Sequence, residues 1–319
     1  MSKIKNKTVL CLLTLLVILL WGSLFPMVKL GYKEFQIDST NVPSLLFFAG
    51  IRFAICGFII LVFSTIKYRK IPAVATKNEW IGIFLIGLIA VALHYGCTYV
   101  GLSSTNSSKT SLLKQSGMII FICLSFFFDK DDKFSWKKIA AAVLGVISIL
   151  ILSNNSNILS ISLGEVLIIV ASFCTVFSNL VCKKANCSSN PINVTGYSEL
   201  IGGIILLIFG LAFGGKIGHV PFKAILVFCY IVVATIISYV LWYSLVQTSE
   251  LSYLFIIKLS EPLFTAIISV LVLGENIWQW QYLVSFICVA FAVTIVNIKF
   301  TKIETVNKAQ SRRKRYENR

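Results

Sequence analysis

The sequence predicts an all-α membrane protein of ten transmembrane helices, arranged as two inverted five-helix repeats. Three observations predict this fold: an apolar composition, recurrent runs of about twenty apolar residues, each long enough to span hydrocarbon, and landmarks shared by the two halves at a fixed spacing. Of the 319 residues, 57% are hydrophobic and 13% are charged, whereas a soluble domain has roughly 25% charged residues. With a mean hydropathy of +0.86, the chain is expected to fold in lipid.

The apolar runs follow one another from end to end, separated by short segments rich in Pro, Gly, Asn and Ser. The first run is predicted to be a retained helix, because it is too long for a signal peptide and lacks a small-residue cleavage site. A basic tail, 299–319, follows the last run. The predicted spans are 8–30, 44–66, 80–102, 107–128, 137–153, 162–182, 194–214, 222–247, 251–273 and 278–298.

The positive charges between the spans predict the orientation. The side of the membrane that holds the N-terminus receives 21 Lys and Arg residues, and the opposite side receives three, Lys33, Lys216 and Lys223. This bias predicts a multi-pass protein of the cell inner (plasma) membrane with both termini in the cytoplasm. The net charge of +16 would also suit nucleic acid, but because these charges lie between apolar spans, no nucleic-acid partner is expected.

An internal repeat organises the chain. A shift of 144 positions superimposes polar and aromatic landmarks of spans 3 to 5 on those of spans 8 to 10. We therefore expect a first repeat at 8–153 and a second at 162–298, and because five is odd, the second repeat enters the membrane from the opposite side. The superimposed pairs are Tyr95 and Tyr239, Tyr99 and Tyr243, Ser108 and Ser252, Lys114 and Lys258, Ser125 and Ser269, Asp131 and Glu275, and Trp136 and Trp280.

Two of these landmarks, Lys114 and Lys258, are charges inside predicted spans. A lysine at the bilayer centre costs about 2.5 to 3.5 kcal/mol on insertion scales and therefore needs a partner or a wet cavity. The repeat would bring the two lysines together across a central cavity, where they would bind an anion or a substrate carboxylate. In the alternative, Lys258 pairs with Glu261, three residues further along the same helix, and Lys114 snorkels or meets Glu199.

Other intramembrane residues have both functional and structural interpretations. Arg52 and Glu199 either contact substrate or are structural charges near helix ends. The Glu261-Pro262 pair breaks the hydrogen-bond ladder of span 9, which either frees a carbonyl for a ligand or a neighbouring helix or is a simple packing kink, and Pro26 kinks span 1. His94 either relays protons or hydrogen-bonds its neighbours. Aromatic side chains would line a pocket or anchor the protein at the membrane interface; these are Trp21, Tyr95, Tyr99, Tyr239, Trp242 and Tyr243.

The sequence lacks the motifs of several other classes. Eight of the nine cysteines lie in predicted spans, without the spacing of a disulfide framework or a metal site. There is no phosphate-binding glycine loop and no nucleophile elbow. We therefore expect no catalytic residues, no cofactor and no metal, and a protein that is not an enzyme and uses gradients rather than ATP.

Three sets of residues form recognisable motifs: Trp21-Gly22-Ser23 with Pro26 and Lys29, Ile51-Arg52-Phe53, and Glu261-Pro262 with Leu273-Gly274-Glu275. In these motifs the sequence resembles the drug/metabolite transporter superfamily, and within it the proteins built from two EamA domains. The first half departs from the family pattern, with Gly117-Met118 in place of a proline and Asp131 in place of a glutamate.

The resemblance covers roughly residues 8–298 and implies ten helices, cytoplasmic termini and a central cavity lined by both repeats. Family substrates range over amino acids, nucleosides, sugars, cationic compounds and sugar phosphates. Lys114 and Lys258 are also similar in position to the phosphate-binding lysines of the related triose-phosphate translocators.

These observations together predict a secondary transporter, an exporter of a small organic metabolite, amino-acid-like or other, that works by alternating access. The substrate-binding residues would be the two lysines, the six aromatic residues and Glu261. The expected partners are a small-molecule substrate and membrane lipid, with a homodimer left open. The alternative is a membrane protein that transports nothing, such as a sensor or a lipid-handling protein.

Overall fold

The computed structural model describes residues 7–69, 76–128, 162–185, 189–249, 251–276 and 280–288, with isolated residues at 72, 74, 136, 139–140, 143–144, 147, 151, 290–291 and 295. Within these ranges all regular secondary structure is helical. The helices are α1 (Lys7–Glu34), α2 (Val42–Tyr68), α3 (Lys77–Ile86), a π-helix (Gly87–Leu93), α4 (His94–Ser104), α5 (Ser107–Leu113), α6 (Gln115–Phe128), α7 (Leu163–Ala185), α8 (Pro191–Ala212), α9 (Phe222–Thr248), α10 (Leu251–Lys258) and α11 (Glu261–Leu273). Residues 280–288 are also helical.

Six helical stretches of the described chain are long and apolar enough to cross a membrane, and they coincide with predicted spans 1, 2, 3, 6, 7 and 8. Large apolar side chains such as Phe58, Ile66 and Phe209 are exposed on their outer faces, as expected where lipid replaces water. Most of predicted span 5, part of span 10, Asp131 and the tail 299–319 lie outside the described residues. The total of ten helices and their inverted arrangement therefore stay predictions.

The end of α1 and the start of α2 are joined by an ordered turn. Asp38 accepts hydrogen bonds from the backbone N–H (2.9 Å) and the hydroxyl (2.8 Å) of Thr40. These bonds stabilise the charged carboxylate and hold the pKa of Asp38 below its usual range. Asn41 then caps α2 by accepting from the backbone N–H of Ser44, as a helix N-cap does.

Spans 4 and 9 are each two helices in the structure, a break that the sequence indicated at Glu261-Pro262 in span 9 but not in span 4. Span 9 breaks between Lys258 and Glu261. The break follows from Pro262, which lacks the N–H that would continue the hydrogen-bond ladder and occupies the first turn of α11. Proline thus begins a new helix here rather than kinking one.

Span 4 breaks at Lys114, where the sequence has no proline. The backbone N–H of Gly117, in the first turn of α6, donates a 2.9 Å hydrogen bond to the hydroxyl of Ser172 on α7. A Cβ at Gly117 would lie 2.7 Å from Ser172, so only glycine permits this approach. In a continuous α-helix this N–H would donate to the carbonyl four residues earlier, in α5. Because it donates to α7 instead, we attribute the break to this contact.

Predicted span 3 is helical throughout, but its middle, Gly87–Leu93, is a π-helix. At this point the span packs directly on α8. A Cβ at Gly87 would lie 2.8 Å from the carbonyl oxygen of Ser198, and one at Gly202 would lie 2.4 Å from the carbonyl oxygen of Gly87. π-Helical turns of this kind are frequent at functional sites.

Helices α2 and α8 make the most extensive contact in the described part of the chain. They run antiparallel, and glycines let their backbones touch. A Cβ at Gly50 of α2 or at Gly203 of α8 would lie 2.4 Å or 2.3 Å from a backbone nitrogen of the other helix. Gly57 and Gly210 make similar contacts. A shift of 153 positions superimposes the two glycines of α2, Gly50 and Gly57, on the two of α8, Gly203 and Gly210.

The close glycine contact between α2 and α8 predicts that Gly203→Ala destabilises the protein, because the added methyl group meets the backbone of α2 rather than a movable side chain. Overpacking of this kind costs about 1 to 3 kcal/mol, so the thermal unfolding midpoint in detergent should fall. The matched control is Gly96→Ala, whose Cβ would meet only leucine methyl groups at 3.7 Å. Equal midpoints for the two variants would contradict the tight crossing.

Candidate functional site

A cavity lies between α1, α2, α4, α7 and α9, next to the two helix breaks. The space open to the centre of a water molecule is about 40 Å³, room for about three waters. Arg52 and His94 line it, and so do all nine residues that the sequence nominates for substrate binding. Those nine are Trp21, Tyr95, Tyr99, Lys114, Tyr239, Trp242, Tyr243, Lys258 and Glu261.

The two repeat-related lysines occupy the two helix breaks. Lys258 is the last residue of α10, and its Nζ lies 3.8 Å from Oε2 of Glu261 across the break. This is the ion pair that the sequence offered as an alternative. Lys114 has no carboxylate within ion-pair distance among the described residues, although the residue is buried, with only 6% of its surface exposed. Lys114 is therefore a buried lysine without a counterion among these residues, and the alternative in which it meets Glu199 is not found.

Aromatic rings surround both ammonium groups. Lys258 Nζ lies 4.1 Å from the ring centroid of Trp21, and Lys114 Nζ lies 4.8 Å from that of Phe25. These distances are within the range of cation–π attraction. Trp21 in turn packs on Tyr239 and Trp242, with centroid distances of 5.3 Å and 4.9 Å. These side chains are buried in the wall of the cavity and are not anchors at the membrane interface.

Two tyrosines that the repeat superimposes meet directly. The hydroxyl oxygens of Tyr95 and Tyr239 lie 2.5 Å apart. Tyr95 comes from α4 in the first repeat, and Tyr239 comes from α9 in the second. Equivalent positions of the two halves thus share one hydrogen bond in the cavity wall.

Arg52 supplies a third cation, held by neutral groups. Its Nε and Nη2 donate to the hydroxyl of Thr235 at 3.1 Å and 2.5 Å, and Nη1 donates to the hydroxyl of Tyr99. The guanidinium also lies 4.6 Å from the ring centroid of Phe53. Because Arg52 lies well inside α2 and is almost fully buried, it is not a structural charge at a helix end.

Helix α7 contributes polar residues that the sequence analysis missed. Thr175, Ser178 and Asn179 line the cavity, and Asn179 accepts a 2.8 Å hydrogen bond from the indole N–H of Trp242. A hydroxyl or amide recurring every three to four residues in an apolar span is the pattern of a helix face turned toward a polar interior, and this pattern would have identified them.

His94 follows the π-helix at once and is held in place by its neighbours. Its Nδ1 lies 3.0 Å from the carbonyl oxygen of Ala90, and its Nε2 lies 3.5 Å from the hydroxyl of Thr175. These contacts agree with the structural interpretation, in which the histidine hydrogen-bonds nearby groups.

Glu199 does not line the cavity but lies behind its wall in α8. The side chain is 0% exposed. Neither carboxyl oxygen has a hydrogen-bond partner in the part of the chain that the structure describes. Like Arg52, this residue lies well inside its helix.

A second polar cluster lies at the end of the bundle where α1 ends and α5 begins. Glu275, just after α11, accepts hydrogen bonds from the backbone N–H groups of Ser107 (2.9 Å) and Ser108 (3.3 Å) and from the Ser108 hydroxyl (3.1 Å). Lys29 Nζ lies 3.6 Å from the same carboxylate and donates to the carbonyl oxygen of Thr105 at 2.7 Å. We call Lys29, Thr105, Ser107, Ser108 and Glu275 the polar clasp.

Comparison with known proteins settles the family. A model described as the EamA-like transporter family matches residues 8–154 and again residues 162–298. The chain belongs to the EamA-like transporter family. The resemblance found in the sequence is therefore confirmed, and the chain carries two EamA-like segments.

Relatives of the EamA type occur in distant organisms. An uncharacterized transporter of Archaeoglobus fulgidus is 22% identical over 83% of this chain and 89% of its own length. The uncharacterized inner membrane transporter YedA of Escherichia coli K12 is 24% identical over 64% of this chain and 62% of its own length. The chloroplastic WAT1-related protein At3g02690 of Arabidopsis thaliana is 23% identical over 79% of this chain and 61% of its own length.

A solved crystal structure has the same fold, with a TM-score of 0.68 and 11% sequence identity over 93% of this chain and 99% of the other. At this identity the likeness concerns the fold alone. With the family match and the named relatives, it identifies a multi-pass inner-membrane protein of a transporter family.

The polar clasp predicts that Glu275→Gln destabilises the protein. The amide nitrogen that replaces one carboxylate oxygen cannot accept the N–H bonds at the start of α5, and a buried group left without its partner costs about 1 to 3 kcal/mol. Glu34→Gln is the control, because Glu34 pairs with Lys223, whose side chain is 68% exposed, and such surface pairs contribute about 0 to 1 kcal/mol. Thermal unfolding in detergent measures both variants, and an equal loss in each would contradict the role of the clasp.

Proposed function

We propose that this EamA-family protein is a secondary transporter that exports a small organic metabolite carrying a carboxylate or another anionic group, amino-acid-like compounds included. The observation that carries the proposal is Lys114, a buried lysine at a helix break in the cavity, without a counterion among the described residues. Taking an ammonium group out of water costs several kcal/mol unless an opposite charge compensates. A substrate anion would supply that charge.

The charges around the cavity favour an anion over a cation. Arg52, Lys114 and Lys258 line it, and the carboxylate of Glu261 balances Lys258. In a site of low dielectric constant, a cationic substrate would be repelled by the remaining positive charges.

The aromatic wall suits the apolar part of such a substrate. Trp21 offers a flat face, and its indole N–H has no hydrogen-bond partner in the described chain. Among the described residues the hydroxyl of Thr98 is also buried without a hydrogen-bond partner. Both groups line the cavity, so a ligand with a polar end and a flat body would use donors that the protein leaves free.

Alternating access by two inverted repeats accounts for several observations together. Breaks in helices that carry the binding residues are typical of transporters with inverted repeats. Here the two breaks lie at Lys114 and Lys258, which the repeat superimposes. The cavity has room for about three waters, so a metabolite would require the helices around it to move apart.

The orientation predicted from the positive charges would place a gate on the outer side of the cavity. With both termini in the cytoplasm, the polar clasp faces the outside and would close the cavity there. The clasp joins α1, the start of α5 and the end of α11, which are elements of both repeats. Release of an exported compound would require the clasp to open.

Lys114→Met is expected to weaken binding of anionic probes, because a charge-assisted hydrogen bond contributes about 1.5 to 3 kcal/mol, which corresponds to roughly 10- to 150-fold in Kd. Quenching of the Trp21 and Trp242 fluorescence of the purified protein measures binding of benzoate, L-phenylalanine and benzylamine. We expect benzoate and L-phenylalanine to bind the wild type better than benzylamine does. Lys114→Arg should retain most of the affinity that Lys114→Met loses.

The control is Lys223→Met, which removes an exposed lysine far from the cavity and should bind as the wild type does. Transport is tested by uptake of the same probes into proteoliposomes, and a growth screen of an overexpressing strain with toxic amino-acid analogues widens the set of compounds. Stronger binding of benzylamine than of benzoate would contradict an anionic substrate. Binding without movement in any gradient would favour the sensor alternative.

A further inference from the structure

Glu199 is a buried acid that neither the fold nor the cavity uses. It lies in the middle of α8, its exposed fraction is 0%, and both carboxyl oxygens lack a donor in the described chain. Ionised carboxylates inside a membrane are found paired or hydrogen-bonded, because desolvation of the charge is otherwise uncompensated. Without donors, the neutral acid is the stable form of this side chain.

The groups around Glu199 come from three helices. They are hydroxyl groups, a thiol and one guanidinium, of which only the guanidinium could neutralise a charged carboxylate. The π-helix that packs on α8 carries no titratable residue (GLIAVAL). The titratable groups that interact electrostatically with Glu199 are Arg52 and Cys56 of α2, Tyr95 of α4, and Tyr239 and Tyr243 of α9.

Arg52 is the cation among these groups, yet it does not pair with Glu199. Its three donating nitrogens bind the hydroxyls of Thr235 and Tyr99. A charged arginine and an acid thus lie in one buried region without an ion pair. A proton on Glu199 avoids the larger cost of burying an unpaired charge, although the neutral carboxyl group still has no hydrogen-bond partner among the described residues.

We propose that Glu199 is a proton-binding site, and that exchange of its proton drives the transport described above. One proton leaves a carboxyl oxygen of Glu199 for water on one side of the membrane, and another binds from the other side while the substrate moves in the opposite direction. The coupling part of the proposal depends on the proposed transport function, whereas the proton site does not.

The neighbours of Glu199 suggest how the proton acts on the cavity. After deprotonation, the carboxylate attracts Arg52, which forms part of the cavity wall. Arg52 would then release Tyr99 and Thr235, which belong to α4 and α9. A proton on Glu199 therefore favours the closed wall seen here, and its loss favours a rearranged wall.

Infrared spectroscopy of the reconstituted protein tests the proton site without a substrate. The carbonyl stretch of a protonated carboxylic acid should be present at neutral pH, shift on ¹³C-glutamate labelling and disappear in Glu199→Gln. Because the acid is protonated at low pH, the band should weaken as pH rises. Glu34→Gln, which removes an acid paired with an exposed lysine, should leave the band intact. A band unaffected by Glu199→Gln, or no band in the labelled wild type, would overturn the proposal.

A second measurement tests the coupling. In proteoliposomes, Glu199→Gln should still exchange labelled for unlabelled L-phenylalanine or benzoate, but should lose accumulation driven by a pH gradient. Accumulation equal to that of the wild type would overturn the coupling. A wild type that shows the infrared band but moves neither probe would contradict the proposed function and the coupling with it, while the proton site stands.

Discussion

Hydrocarbon offers no hydrogen-bond partners, so every polar group of this protein that enters the membrane has to be satisfied by the protein itself. This constraint explains where the helices stop. The breaks in spans 4 and 9 carry the ionisable side chains of Lys114 and Lys258, and both breaks lie at the cavity. The same constraint makes Lys114 and Glu199 exceptional, because among the described residues Lys114 has no counterion and Glu199 has no hydrogen-bond partner.

Much of the fold and the site could be predicted from the sequence. The six long described helices follow from apolar runs of the length that a bilayer requires. The 144-residue shift pointed to Tyr95 and Tyr239, which share a hydrogen bond, and to Lys114 and Lys258, which occupy matching breaks. A polar side chain in an apolar span costs free energy of insertion and is therefore rare, so such residues are easily recognised in a sequence.

The remaining features depend on contacts between helices, which local sequence does not encode. The break at Lys114 depends on Ser172 of another helix, and the π-helix lies where Gly87 meets α8. The Lys258–Glu261 ion pair, one alternative offered by the sequence, is present in the structure. A pair between Lys114 and Glu199 is not, because Glu199 lies behind the cavity wall. Which of two charges finds a partner is decided by packing.

The glycine contact between α2 and α8 limits how the protein can change shape. Two helices whose backbones touch at Gly50 and Gly203 have no layer of side chains between them to deform, so sliding or separating them would lose close contacts along their length. The pair is suited to stay together as one rigid body. Rearrangement during a transport cycle would then fall to the shorter, interrupted segments α5, α6, α10 and α11, which can rotate relative to that rigid body.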